Sequence, residues 1–242
     1  MERNRQNKLV SIQVDIAFKR WKNLSEILLP EVEEFCNSYN EREGILKEIE
    51  ELSQREKVPI LLPTSAAFLR LTVSILKPKR VLEIGTGIGY STLNICFGYR
   101  EAEITTVDSN RKRLEKAKEF FERAGAPIKT VFSDGLDYVR ELLFRGETFD
   151  FIFVDSVKSE YPFFNYKVQP LLKERGVALF DNVLFRGYVA GRDYDRKYER
   201  GVKLLKKFLK DVKEYPNFEA TLIPVGDGLL FLKQKEHSYE KI

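Results

Sequence analysis

Histidine is almost missing from this chain: the only one, His237, sits in a polar C-terminal stretch and reads most simply as an exposed terminal residue. That scarcity argues against His-dependent triads and against zinc held by imidazoles. Any metal should be a hard cation held by oxygen. Cysteine is nearly as rare. Cys36 and Cys96 have neither the spacing of a disulfide framework nor that of a metal site, which fits a reduced, cytoplasmic setting. No apolar run reaches membrane-spanning length, and the opening MERNRQNKLV lacks the apolar stretch of a signal peptide. No membrane partner is expected. Methionine and tryptophan occur once each, and beside abundant Lys and Glu this balance would suit a heat-stable protein.

What remains is an ordinary globular composition, 43% hydrophobic and 32% charged over 242 residues, with a mean hydropathy of −0.34. That length carries one α/β domain, with or without a helical extension. Residues 1–57 show helical patterns and no strand signal. The pattern over 8–29 is amphipathic and would bury Ile12, Ile16, Leu24 and Ile27 against the core or a second subunit, and a break follows at Pro30. From 58 to 242 strands and helices alternate: RVLEI, YSTLNICFGY, EITTVD, NRKRLEKAKEFFERAG, IKTVF, LDYVRELLF, FDFIFVD, YPFFNYKVQPLL, GVALFD. Such alternation predicts βαβ units and a parallel sheet with helices on both faces. FEATLIPV and GLLFLKQ, joined through GD, read as a hairpin on the sheet edge.

VLEIGTGIGYS puts Gly85, Gly87 and Gly89 between a strand and a helix, where the backbone can approach a ligand closely. The spacing is G-x-G-x-G, not the dinucleotide G-x-G-x-x-G. Glu83 just before the loop would repel a pyrophosphate and welcome an ammonium. Asp108 ends the second strand and can accept from both hydroxyls of a ribose. Asp134, in FSDG, can meet an adenine amino group. Each acid alone could be a strand-end cap. Together they describe S-adenosylmethionine better than NAD.

In FIFVDSVKSEY, four strand-forming residues run out into Asp155, with Lys158 three positions on. A capped helix start is the plain reading of Asp155 alone. GVALFDNVLF repeats the pattern with Asp181 and Asn182. Carboxyl ends of parallel strands share one edge, so these groups converge there. Two carboxylates and an amide oxygen suit Mg²⁺ with positions left open. Lys158 would point to the same place and could serve as general base toward a substrate hydroxyl, since a nearby divalent ion disfavours its ammonium form.

VLEIGTGIGYS, VDSVKSEY, DNVLFRGYVA and IPVGDGLLF together resemble the metal-dependent S-adenosylmethionine O-methyltransferases of the catechol and caffeoyl-CoA type, over about residues 40–235. Within that class, DNVLFRGYVA and IPVGDGL look most like the bacterial tRNA 5-hydroxyuridine methyltransferases. The resemblance implies a Rossmann-like, seven-stranded, mostly parallel sheet with an antiparallel last strand, following the N-terminal helical extension. It implies Asp155, Asp181 and Asn182 as metal ligands and Lys158, with Asp155, at the catalytic centre. Around the cofactor it implies Ile60, Leu62, Glu83, Gly85, Gly87, Ser91, Asp108, Asp134, Gly135 and Asp155. Ser65 departs from the family, which usually has glycine there. A homodimer is expected.

The methyl acceptor is expected to be 5-hydroxyuridine in a tRNA anticodon loop, with a small catechol-like molecule as the alternative; both offer a hydroxyl beside a second oxygen. The tRNA reading rests on a basic stretch. From Arg186 to Glu214 there are ten Lys/Arg against five Asp/Glu, a balance of +5 where the whole chain carries +4. Arg186, Arg192, Arg196 and Lys197 would contact phosphates, and Tyr188, Tyr194 and Tyr198 would stack on unpaired bases. A solvated surface helix is the competing reading of that charge. A binding module that keeps the fold without catalysis is a further rival, which the Asp155/Lys158/Asp181/Asn182 set argues against.

Overall fold

The structure, a computed structural model, describes residues 25, 27–40, 42 and 44–235. The amphipathic pattern over 8–29 lies outside the described residues except at its end, where 27 and 28 form a bend. Pro30 lies at a helix boundary. It starts α1 (Pro30–Tyr39), at a position where the missing N–H costs nothing.

Helix α2 (Gly44–Glu56) buries Leu46, Ile49 and Leu52, one face at helical spacing. Its Glu50 accepts from the Tyr90 hydroxyl and from the Arg42 guanidinium. Arg42 also donates to the carbonyls of Asn37 at 2.9 Å and Asn40 at 2.6 Å. This buried ion pair is satisfied on both sides, and it ties the end of α1 to the helix that follows the glycine loop. After an extended stretch at 58–62, Pro63 opens α3 (Pro63–Leu76).

The alternating segment folds as expected: β1 (Arg80–Ile84), α4 (Tyr90–Gly98), β2 (Glu103–Asp108), α5 (Arg111–Arg123), β3 (Lys129–Phe132), α6 (Gly135–Phe144), β4 (Phe149–Val154), α7 (Tyr161–Val168), β5 (Leu172–Phe180), α8 (Glu199–Lys213), β6 (Phe218–Ile223) and β7 (Leu229–Gln234). The sheet has seven strands in the order β3-β2-β1-β4-β5-β7-β6. The first five are parallel, and β7 runs antiparallel between β5 and β6. The hairpin therefore forms the edge, with the chain's last strand one place inside it.

Both faces are covered, so the central strands are largely apolar where they cross the core. On β4, Phe151 and Phe153 join the cluster holding Leu46, Ile49 and Leu179. Ile152 and Val154 join Leu82, Phe180 and Phe208 on the other side. Strand β5 begins at Leu172, four residues before the expected GVALFD. The register shifts between Phe149 and Phe151, and Arg175 takes a left-handed φ of 63°, so the chain absorbs the polar KERG turn inside the strand. On α8 the fully buried residues are Val202, Leu205, Phe208 and Val212; Leu209, which the helical period also places on that face, is only partly buried. Among the described residues no helix is long and apolar enough to cross a membrane.

Strand order reverses between β1 and β4, because the chain leaves β1 toward β2 and β3 and returns to add β4 and β5. Ligands of such sheets bind outside the carboxyl ends at this switch point.

Candidate active site

The carboxyl ends of β1, β4 and β5 are laced together. The Asp155 amide donates to the Ile84 carbonyl at 2.9 Å, and the Asp181 amide to that of Val154 at 3.0 Å. The glycine loop lies directly against this edge. Gly85 has φ +104°, and a Cβ there would fall 1.9 Å from the Asp155 carbonyl oxygen, so only glycine fits. Above the edge opens a cleft of about 500 Å³.

One side of the cleft carries acids held by backbone amides. Asp108 accepts from the Gly87 amide through one oxygen and the Asn110 amide through the other, both at 2.7 Å. Asp134 caps α6, accepting from the amides of Leu136 at 2.9 Å and Asp137 at 3.1 Å. Its capping role and its place on the cleft wall coexist. Ile60, Leu62, Gly85, Gly87, Gly135 and Asp155 also line the cleft. Glu83 and Ser91 do not; they lie buried just beneath it. The Glu83 Oε2 accepts from the hydroxyls of Thr92 and Thr106, while its Oε1 is buried with no hydrogen-bond partner. Burial pushes the Glu83 carboxyl up to about 7, against the lowering effect of hydroxyls from Ser91, Thr106 and Thr92.

The other side carries the expected metal set. Lys158 sits among it: its Nζ donates to Asn182 Oδ1 at 2.7 Å and lies 3.6 Å from Asp155 Oδ1. The Asn182 amide donates to Asp181 Oδ2 at 2.6 Å. Asn182 itself takes a left-handed φ of 56°, which turns its side chain back toward Asp181. Tyr161, fully buried, donates its hydroxyl to the Asp181 carbonyl at 2.7 Å and accepts from Lys158 at 3.3 Å. Asp181 is 1% exposed, and its Oδ1 is buried without a partner. Burial, then the nearby charge of Asp155, raise its pKa well above the usual carboxylate range, with Lys158 opposing. A buried carboxylate with an orphaned oxygen, Asp181, beside the half-buried Asp155 fits an oxygen-seeking cation. Among the described residues no group of three or more His, Cys, Asp or Glu could hold a metal ion, so a cation at Asp155 and Asp181 would need a ligand of another kind, for which the Asn182 amide oxygen is the candidate. The orphaned Glu83 Oε1, with Asp108 and the close-packed glycine loop, likewise fits a nucleoside ligand ending in an ammonium.

The basic stretch divides. Arg186 lines the cleft, and its amide donates to Asp227. Arg196 and Lys197 face a separate shallow groove with Arg200 and Lys203. Lys197 pairs with Asp195 at 3.3 Å, Lys203 with Glu199 at 2.7 Å and Lys207 with Asp211 at 2.6 Å, which mutes the charge. The tyrosines are not an open stacking platform. Tyr188 is buried against Phe185, Tyr194 and Tyr198, with ring centroids 5.4–5.5 Å apart, and Tyr198 is half-buried. Of the three, only Tyr194 is exposed, because the aromatic rings cover one another in preference to water.

Ser65 is fully buried with an unpartnered hydroxyl, packed on the β6–β7 turn. A Cβ at Gly226 (φ +58°) would fall 2.0 Å from the Ser65 Oγ, so the extra atoms at 65 are matched by a glycine across from them. Sequence reasoning missed Ser25, Arg113, Glu160 and Asp227 on the cleft wall. The GDG turn was a signal for Asp227; Ser25 had none.

A family model described as O-methyltransferase matches residues 36–235. Caffeoyl-CoA O-methyltransferase 5 of Nicotiana tabacum is 31% identical over 205 residues, covering 78% of this chain and 83% of its own. Among solved structures, a methyltransferase of Podospora anserina bound to S-adenosylhomocysteine superposes with a TM-score of 0.76 at 28% identity, covering 85% of this chain and 94% of that one. An O-methyltransferase from Bacillus cereus, also with S-adenosylhomocysteine, gives 0.73 at 25% identity over 85% of this chain and 97% of that one.

Proposed function

The chain belongs to the O-methyltransferase family and is an S-adenosylmethionine-dependent O-methyltransferase, and on that premise we propose that it methylates one of two adjacent oxygens on a small aromatic acceptor, with a divalent cation held by Asp155, Asp181 and Asn182. The observation that carries the acceptor site is the buried Asp181 carboxylate, with one oxygen unpartnered, beside Asp155 and Lys158 at the edge of the cleft.

S-adenosylmethionine supplies an electrophilic methyl group, and Mg²⁺ at these three residues would bring an acceptor hydroxyl and its neighbouring oxygen together and make the hydroxyl more acidic. The chain's residues do the rest. Asp108 holds the cofactor's ribose while its backbone bonds keep the glycine loop in place. Glu83, buried just beneath the cleft, favours the ammonium end by its charge. Lys158, held between Asn182 and Tyr161, receives the hydroxyl proton at Nζ once it has lost its own. Tyr161, whose pKa burial raises well above the usual phenol value, stays protonated and keeps the Asp181 backbone in place. Catalysis is then positioning and electrostatics, with no covalent enzyme intermediate.

The small-acceptor reading draws on the caffeoyl-CoA relatives and on the inward-turned tyrosines. Methylation of tRNA 5-hydroxyuridine is kept as a second reading because Arg186 lines the cleft while Arg196, Lys197 and Arg200 line a second, cationic groove. Methyl transfer to a dihydroxyphenyl panel and to hydroxyuridine-bearing tRNA, with chelator and with Mg²⁺ restored, tests both. Turnover of tRNA alone would replace the small-molecule reading. Full activity in chelator would remove the metal.

A further inference from the structure

The loop that begins at Asn182 runs against ordinary backbone preference. Asn182, Phe185 and Arg186 take left-handed φ values of 56°, 46° and 58° within five residues. None is glycine, so each raises the energy of the loop, and such a conformation persists only where the surrounding structure holds it. The β6–β7 turn supplies that hold. The Val183 amide donates to the Gly228 carbonyl at 3.0 Å, and the Leu184 amide to the Asp227 carbonyl at 3.1 Å. The Arg186 amide donates to the Asp227 carboxylate, across 41 residues of chain. The fit is close: a Cβ at Gly228 (φ +87°) would fall 2.4 Å from Leu184 Cγ. Two backbone carbonyls therefore fix the first half of the loop, and a side chain fixes its far end, where two left-handed residues are adjacent. Within the loop the Phe185 amide donates to the Asn182 carbonyl at 3.2 Å, so a displacement at 185 or 186 is passed back to Asn182.

We propose that Asp227 is a positioning residue for the site. Its carboxylate holds Arg186, and through the loop it keeps the Asn182 side chain turned toward Asp181 Oδ2, where it donates at 2.6 Å. Glycine on both sides, at φ +58° and +87°, lets the turn present a carboxylate and two carbonyls to one loop. Asn182, Arg186 and Asp227 all line the cleft, so the clamp lies at the site it supports. The inference deepens the metal reading above and rests on it for the effect on Mg²⁺. The hold on the loop rests on the hydrogen bonds alone.

The test compares Asp227→Ala with Asp227→Asn, which keeps an oxygen for the Arg186 amide, in full-length protein loaded with S-adenosylhomocysteine. Hydrogen exchange at the Arg186 amide should quicken at least about tenfold in Asp227→Ala. Mg²⁺ titrated by calorimetry should bind about tenfold more weakly, with S-adenosylhomocysteine affinity kept within about twofold. Asp227→Asn should recover most of both losses. A general loosening of the fold would weaken cofactor and metal alike, and that result overturns the assignment. Unchanged exchange at Arg186 does so too, as does intact Mg²⁺ affinity in Asp227→Ala when Asn182→Ala loses it. If Asn182→Ala also leaves Mg²⁺ affinity intact, the metal reading falls, and faster exchange at Arg186 in Asp227→Ala still upholds the clamp. The wild type decides even if Asp227→Ala does not fold: an Arg186 amide that exchanges as fast as that of the exposed Asp193 overturns the proposal.

Discussion

The two sides of the cleft treat their carboxylates in opposite ways. On the cofactor side, Asp108 and Asp134 accept from two backbone amides each, so they are held in place before any ligand arrives. On the acceptor side, Asp181 keeps a buried oxygen with no partner, and Asp155 faces an ammonium at 3.6 Å. Backbone amides come from the loop itself, so a strand end followed by a turn can satisfy its own acid. Asp181 also ends a strand buried on both faces, but the turn after it, which brings the Asn182 side-chain amide to Oδ2, leaves Oδ1 without a partner. A proton or a cation would compensate it, and the charge of Lys158 already opposes the effect of burial. One side is prepared to recognise; the other is left electrostatically incomplete and is completed by what binds.

Removing Asp181 should break this contrast most sharply. Asp181→Ala is expected to lower turnover at least about a hundredfold while leaving S-adenosylhomocysteine affinity nearly intact. Chelator should mimic it, with Mg²⁺ restoring only the wild type, and a parallel loss of cofactor affinity would show that the two sides are not separable.

Glu83 lies under the boundary between them and gives the next effect. Its folded pKa of about 7 lies above the ordinary 4.5, so it favours folding fully below pH 4.5, and that contribution is lost as pH rises to about 7. The loss in ligand-free protein should be on the order of 3 kcal/mol. Urea unfolding across pH 4.5–8 would show it, and Glu83→Gln should flatten the slope.

Asp108→Ala should weaken the cofactor by about 1–3 kcal/mol with little change in metal dependence, the mirror image of Asp181→Ala. Unchanged affinity by calorimetry would take Asp108 out of the site. The smallest effect is expected from Arg192, Arg196 and Lys197 changed together to Ala: less than about twofold on a small acceptor. A steep salt dependence of tRNA affinity, lost in this triple variant, would instead favour the RNA reading.

Much of this was legible because it is local. Alternating apolar runs and turn residues predict the order of β1 to β7, and each acid placed after a strand is read from its neighbours alone. The converging set Asp155, Lys158, Asp181 and Asn182 needed one further rule, that parallel strands end on a common edge. The errors arose where packing chose between options of equal local merit. Phe208 displaced Leu209 because both satisfy the helical period and the larger ring fills the space beside Tyr161 and Phe180, at 5.7 and 5.1 Å. The tyrosines of the basic loop were read as a surface because nothing in their spacing reveals that they cover one another.

By itself, then, the sequence determined which segments are strands and helices, the glycine loop and which acids end which strands, since period and turn chemistry act over a few residues. Only the tertiary structure decided that Glu83 lies beneath the cleft, that Ser65 is answered by Gly226 more than a hundred and fifty residues away, and that Glu33 is buried. Burial and the pairing of charge depend on distances that no local pattern encodes.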